Sequence, residues 1–453
     1  MSTALPPTIP MRAPLRASLI ALALGLAGAG SAWSQSLDEL YTAARGYDPI
    51  YLAARALADS AQYKAAQADA LMRPTANLTA SANMTRTESS VADISARNRT
   101  ASLSARQPLF NRTSSATIDQ AGRQLEASTY QLETAEQDLI VRLAQAYFDV
   151  LAAQDALATT RTSKAAISEQ LASAKRNFEV GTATITDTRE AQARFDLATA
   201  QEIAADNDLR NKRIALDQLV GRSNVEPKGL TLPVVLPATA PADAEVWAGN
   251  ADAQHPSVRQ ARLALEVAQL ETEKARAGHL PTVDAVANLG NNYSSRSGIS
   301  GSGQTSIGGT TNSGSVGLQL NVPLFAGFSV QNRIKETLLL EDKSRNDLEA
   351  ARRVVSIATR QAYFGVQSLQ AQVLALEAAE SSSALALEAT QLGYKVGVRV
   401  NIDVLNAQTQ LYTTRRDLSK ARYDTLVASL KLRQAAGQLK PDDVSAVSRL
   451  LAR

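Results

Sequence analysis

Chemistry needs side chains that ligate, attack or shuttle protons, and this 453-residue sequence arranges few of them usefully. It has no cysteine and only two histidines, His255 and His279, lying beside Pro256 and Leu280-Pro281. Thiolate metal sites, disulfides and lipid attachment through Cys are excluded, and a histidine metal site lacks partners. There is no Gly-rich phosphate loop of the Walker kind, no nucleophile with a base and acid beside it, and the helical carboxylates read as solvated faces. The chain therefore reads as a non-enzyme without cofactor or metal. Lys and Arg number 47 against 44 Asp and Glu, a balance that gives no reason to expect nucleic acid. The polar residues of interest lie at two helix-turn-helix ends: Asp187 and Glu190 follow Gly181, and Arg399, Asp403 and Asn406 follow Gly397. Asp187 is expected to cap its helix, with Glu190 three residues on completing a box-like pair.

The elements that position these ends come in two copies. Asp48 onward (DPIYLAARALADSAQYKAAQ) resembles His255 onward (HPSVRQARLALEVAQLETEK), matching Pro49 with Pro256 and Pro74 with Pro281 at the same interval. Further on, Pro108-Leu109-Phe110 matches Pro323-Leu324-Phe325, QAYFDV matches QAYFGV, and FEVG matches YKVG. Ordered matches with one localised insertion are a duplication. The insertion falls in the Gly/Ser run at 297–315, which reads as a polar surface loop.

Each copy repeats one grammar. A helix, Leu37 to Met72 or Ser257 to Gly278, leads to a segment of period two: Leu78, Ala80, Ala82 and Met84 alternate with polar residues, as do Val283, Ala285, Ala287 and Leu289. A second alternating segment follows, around Leu103 and around Leu318, giving strands of about 8 to 11 residues, long enough for a tilted strand to cross an outer membrane. Next come Pro-Leu-Phe and unbroken helices from about Thr113 to Val180 and Ser329 to Val396. Their apolar residues step by four and three (Leu143, Tyr147, Val150, Gln154, Leu157; Ala362, Val366, Leu369, Val373, Leu376), the seam of a coiled coil. A helix of that length reaches roughly 100 Å and must pack sideways on long neighbours. Gly181 and Gly397 then supply left-handed helix ends. Helices return from about Asp187 to Val220 and Ile402 to Ala436, and the leading helix of the other copy has the length to stack end to end on each.

Residues 1–34 read as a secretory signal, with basic Arg12 and Arg16, an apolar stretch from Ala17 to Gly30, and small Ala32 and Ser34 before Gln35. The remaining organisation is a first repeat over 35–221, a Pro-rich mid-height linker over 222–250, a second repeat over 251–437 and a tail over 438–453. Nowhere downstream of the signal is there an apolar run long enough for a membrane helix, which leaves a soluble exported protein or a β-barrel. Four strands cannot close a membrane barrel, whereas three chains supply twelve and remove every edge.

The duplicated helix-strand-strand-helix grammar, the two Pro-Leu-Phe boundaries and the tips FEVGTATITDTREAQARFDLA and YKVGVRVNIDVLNAQTQLYTTRRDLSKARY make the chain resemble the TolC family of outer-membrane efflux ducts over almost all of its mature length. The resemblance implies a mainly α fold with membrane β: a homotrimeric channel-tunnel in the outer membrane of a Gram-negative bacterium, with a twelve-strand barrel in contact with outer-membrane lipid and a long-helix α-barrel across the periplasm. It also implies a periplasmic adaptor, docking at the helix-tip turns of Gly181 and Gly397, and an inner-membrane ABC or RND transporter. At the entrance it implies that Asp403 forms an acidic ring, that Asn406 replaces a second acidic position, and that Arg399 ties its helix to a neighbour with Asp187 as partner. Pro108 and Pro323 would end strand pairing and turn the chain into helix, placing Phe110, Phe325 and Phe328 at the membrane boundary. Lack of a lipid-attachment Cys is more like the non-lipidated ducts, including those of type I protein secretion. The alternative is an exported trimeric coiled-coil structural or surface protein without a lumen.

Overall fold

The computed structural model describes residues 35–90, 92–231, 239–300 and 303–451; the signal read over 1–34 lies outside them. Two short helices, α1 (Leu37–Tyr47) and α2 (Pro49–Asp69), lead into strands β1 (Thr75–Glu88) and β2 (Ala92–Phe110), the long helix α3 (Arg112–Glu179) and the returning helix α4 (Ile185–Val220). The second copy repeats the order with α5 (Ala244–Gln254), α6 (Pro256–Arg276), β3 (Thr282–Ser300), β4 (Gly303–Asn321), α7 (Ser329–Lys395) and α8 (Asn401–Ala435), and α9 (Pro441–Ser448) closes the chain.

The long helices run free of proline and start and stop close to where the sequence places them. Asn111 caps α3, its side chain accepting from Ser114 N at 3.1 Å. At the far end Thr182 N donates to Asn177 O and Gly181 N to Phe178 O, and Val398 and Gly397 repeat the pattern on Gly393 and Tyr394; these are Schellman ends. Four of the five predicted seam residues of α3, Leu143, Tyr147, Val150 and Leu157, are buried.

The first copy's leading helix, expected in one piece from Leu37 to Met72, is interrupted at Asp48, and in the second copy a separate helix, α5, precedes the expected one at His255. Asp48 and His255 precede prolines, which excludes the helical region for them, and they take ψ of 117° and 128°. Both turn the break into a cap: Asp48 accepts from Ile50 N, and His255 Nδ1 accepts from Ser257 N at 3.1 Å.

The four strands form one antiparallel sheet in the order β1-β2-β3-β4, so β2 and β3 join the copies. The strands are longer than expected, 14 residues for β1 and 19 for the others. The Gly/Ser run read as a loop belongs largely to β3 and β4, which pair continuously from Thr282↔Asn321 to Ser300↔Gly303. Pairing to a neighbour overrides the weak strand preference of Gly and Ser. Pro108 does not end its strand: it lies inside β2, opposite Asp284, at a register shift between Pro108 and Phe110. A bulge absorbs the missing donor. Pro323 does lie beyond its strand, which stops at Asn321.

The stacking of helices also differs from expectation. Gly221 at the end of α4 abuts Tyr47, and Gly437 after α8 abuts His255; a Cβ there would lie 2.4 Å from Tyr47 Cγ and 2.4 Å from His255 Cα. Each returning helix therefore meets the leading helix of its own copy. The reason is connection length: the hairpin places α2 beside the upper half of α3, and the short tip turn places α4 beside the lower half.

The largest core surrounds this mid-height junction. Leu139, Ile140, Leu143 and Phe148 of α3 pack with Leu37, Leu40, Leu216, Leu426, Leu430 and Val447, and Phe148 stacks on Tyr423 at 5.7 Å between centroids. The segment joining the copies crosses here: Tyr147 OH donates to Lys228 O at 2.9 Å, and Leu230 bridges Leu451 of the tail.

Candidate functional site: helix tips and sheet faces

At the first tip the cap is Thr184, not Asp187. Thr184 Oγ1 accepts from Asp187 N at 3.2 Å, and the Asp187 carboxylate accepts from Thr184 N at 3.0 Å and Thr184 Oγ1 at 2.7 Å. Asp187 is thus the reciprocal acid of a capping box. Glu190, half-buried, takes no partner among the described residues.

At the second tip Val400 holds the N-cap position without a side-chain bond. Arg399 lies 3.7 Å from Asp403 on its own helix rather than against Asp187, whose carboxylate is already engaged. The pair is loose, with Arg399 61% exposed and Asp403 35%.

Two residues overlooked in the sequence tie the tips together. Asn401, 2% exposed, donates to Asp187 O at 3.5 Å and accepts from the Gln170 amide. Arg194 of α4 donates to Asn406 Oδ1 at 2.9 Å. Neither has a local signal, since both partners are distant in sequence. Between the tips Asn177 Nδ2 also donates to Tyr394 OH at 3.2 Å, over a small core of Ile167, Leu171, Ala191, Ala198 and Leu405.

The sheet separates two chemistries by parity. One face carries Leu78, Leu103, Leu289, Val316, Leu318 and Leu320, exposed by between 45% and 89%. The other is hydroxyl and amide: Thr79 and Ser102 share a 2.7 Å hydrogen bond, Thr100 donates to Asn292, and at its foot Arg106 meets buried Asp284 at 2.6 Å. A sheet dry on one face and wet on the other suits lipid outside and water inside. At the helix end of the dry face stand Phe110, exposed, and Phe325 and Phe328, edge to face at 5.5 Å. No helix among the described residues is long and apolar enough to cross a membrane, and no group of residues there could hold a metal.

An amphipathic sheet continued by helices of 68 and 67 residues defines the class: a subunit of an outer-membrane channel-tunnel. Residues 40–222 and 247–438 match the Outer membrane efflux protein family, and the chain belongs to that family. It is similar to outer membrane protein TolC of Vibrio cholerae, 34% identical over 92% of this chain and 94% of the relative, and to alkaline protease secretion protein AprF of Pseudomonas aeruginosa, 34% identical over 76% and 71%. Among solved structures it resembles the outer membrane protein VceC of Vibrio cholerae, with a TM-score of 0.74 and 20% identity, covering 88% of this chain and 96% of that one. The protein is an outer-membrane channel protein.

Proposed function

We propose that three copies close into an exit duct through the outer membrane and periplasm, passing cargo handed over by an inner-membrane ABC or RND transporter through a periplasmic adaptor that docks at the tip turns. One observation carries this reading: every edge of the single chain is unfinished. β1 and β4 each have one unpaired side. The helices are likewise open, for α3 is flanked by α2 and α4 on one side and by α6 and α8 on the other, while α7 packs on α5, α6 and α8. Leu339, Phe364, Leu374 and Leu385 of α7, and Ile203 and Ile214 of α4, are left exposed. Closure on further copies buries them and pairs the strand edges. The wet face of the sheet then lines a lumen, which a purely structural coiled coil does not need.

The gate lies at the tips. Asp403 contributes one ring of carboxylates, Asn406 an uncharged ring beside it, Arg399 steadies the second tip through Asp403, and Asp187 closes the first through Thr184. Phe110, Phe325 and Phe328 mark the inner edge of the membrane. Protein secretion fits the non-lipidated chain and its likeness to AprF. The reading is tested by purifying the protein in detergent and recording across planar bilayers: a trimer with discrete, cation-preferring conductance is expected, with the preference reduced by Asp403→Ala. A water-soluble monomer that passes no current overturns it.

A further inference from the structure

The dry face of the sheet has two borders, and they are chemically unlike. At the helix end Phe110 stands in register with Val283. Following that face along β3 leads through Ala285, Ala287, Leu289 and Asn291 to Tyr293, which stands opposite Arg99, and Arg97 follows opposite Ser295. The ten residue steps from Val283 to Tyr293 span about 33 Å along the strand. At the roughly 40° tilt of membrane strands that is about 25 Å of height, the thickness of the lipid-facing band of such barrels. Tyr293, Arg99 and Arg97 therefore stand at the outer headgroups, and small hydroxyl side chains, Ser95, Ser297 and Ser306, share the face beyond them.

Arg97 and Arg99 are exposed on the same face as Leu103 and make no ion pair or hydrogen bond among the described residues. Arg86, on the same face of β1, is by contrast already bound to Glu88 at 2.9 Å. Two unpaired guanidinium groups on one strand face, about 7 Å apart, repel each other beside hydrocarbon unless an anion lies between them. β2 is an inner strand, so closing the barrel through β1 and β4 leaves the pair uncovered.

We propose that Arg97 and Arg99, with Tyr293 beside them, bind the phosphates of a phosphorylated glycolipid of the outer leaflet. The site rests on the barrel reading above. Guanidinium groups meet phosphate oxygens through paired N–H donors, and the tyrosine ring sits where its apolar body and polar tip are both satisfied. The lipid fixes the height of the barrel in the membrane at the border that carries no phenylalanine cluster.

The test uses the full protein in phosphatidylcholine nanodiscs titrated with bisphosphorylated lipid A, with bound lipid counted by native mass spectrometry. The Arg97→Gln/Arg99→Gln double variant is expected to bind about thirtyfold more weakly, the double Lys variant close to the parent, and dephosphorylated lipid A to bind the parent as weakly as lipid A binds the Gln variant. Binding by the Gln variant within twofold of the parent overturns the proposal, as does phosphatidylglycerol binding the parent as tightly as lipid A. If the double variant does not insert, the single Gln variants and the dephosphorylated ligand decide. A parent that never enters nanodiscs removes the barrel reading and this site with it.

Discussion

The two helix tips occupy equivalent places in the duplication, yet they are fastened differently. The first is closed by a reciprocal Thr184–Asp187 box. The second begins at Val400 with no side-chain cap and an Arg399–Asp403 contact of 3.7 Å. A capped turn resists fraying, whereas the uncapped one relies on an exposed, stretched ion pair, worth little, and on the cross-tip bonds of Asn401 and Arg194. On the proposed gate, this difference casts the first tip as the fixed frame and the second as the part that moves.

The largest effect should come from removing the weak fastening. Arg399→Ser should raise resting conductance about tenfold, since an exposed pair is worth about 0.5 kcal/mol and three act on one opening; equal conductance in bilayer recordings would break the comparison. Next, Thr184→Ala should cost the first tip about 1 kcal/mol, read as faster amide exchange over 185–190 with conductance unchanged. A conductance rise matching that of Arg399→Ser would mean that both tips move. Smaller still, Asn406→Asp adds a carboxylate opposite Arg194 and should increase cation preference about twofold, measured as a shift in reversal potential under a salt gradient.

The smallest effect belongs to a second pair of equivalent positions. Asp48 is buried and held by Arg142, while its counterpart His255 caps as a neutral ring. Burial lowers the His255 pKa below its ordinary value of 6.5. The unfolded chain then binds the proton more readily, so the contribution is complete above about pH 6.5 and is lost as pH falls through the folded value. His255→Asn, which keeps an acceptor, should flatten the thermal stability profile between pH 7 and 5 without changing it at pH 8. A slope that persists in the variant would place the titration elsewhere.

What the sequence made legible was local. The far ends of α3 and α7 follow from Gly181 and Gly397, because a left-handed glycine acts within one turn. The parity of Leu78 against Asn77 revealed the two faces of the sheet in the same way. The extent of β3 and β4 was hidden because Gly308, Gly309 and Ser313 have little intrinsic preference and acquire their conformation from partners. At the tips, the residue types at Asp187 and Arg399 were visible but not their partners. Arg194 and Asn401 were missed because an arginine and an asparagine on solvated helix faces look like any others until a helix from the other copy is laid beside them.

The glycine junctions at mid-height carry one more implication. Gly221 and Gly437 let helix ends abut, but among the described residues no backbone hydrogen bond crosses either joint. Among the described helices only α3 and α7 run unbroken from tip to sheet, so each wall of the proposed tube is in part a column of two drums. If the proposed duct dilates at its periplasmic mouth, these joints let the lower helices tilt without dragging the upper ones, and little torque need reach the strands in the lipid.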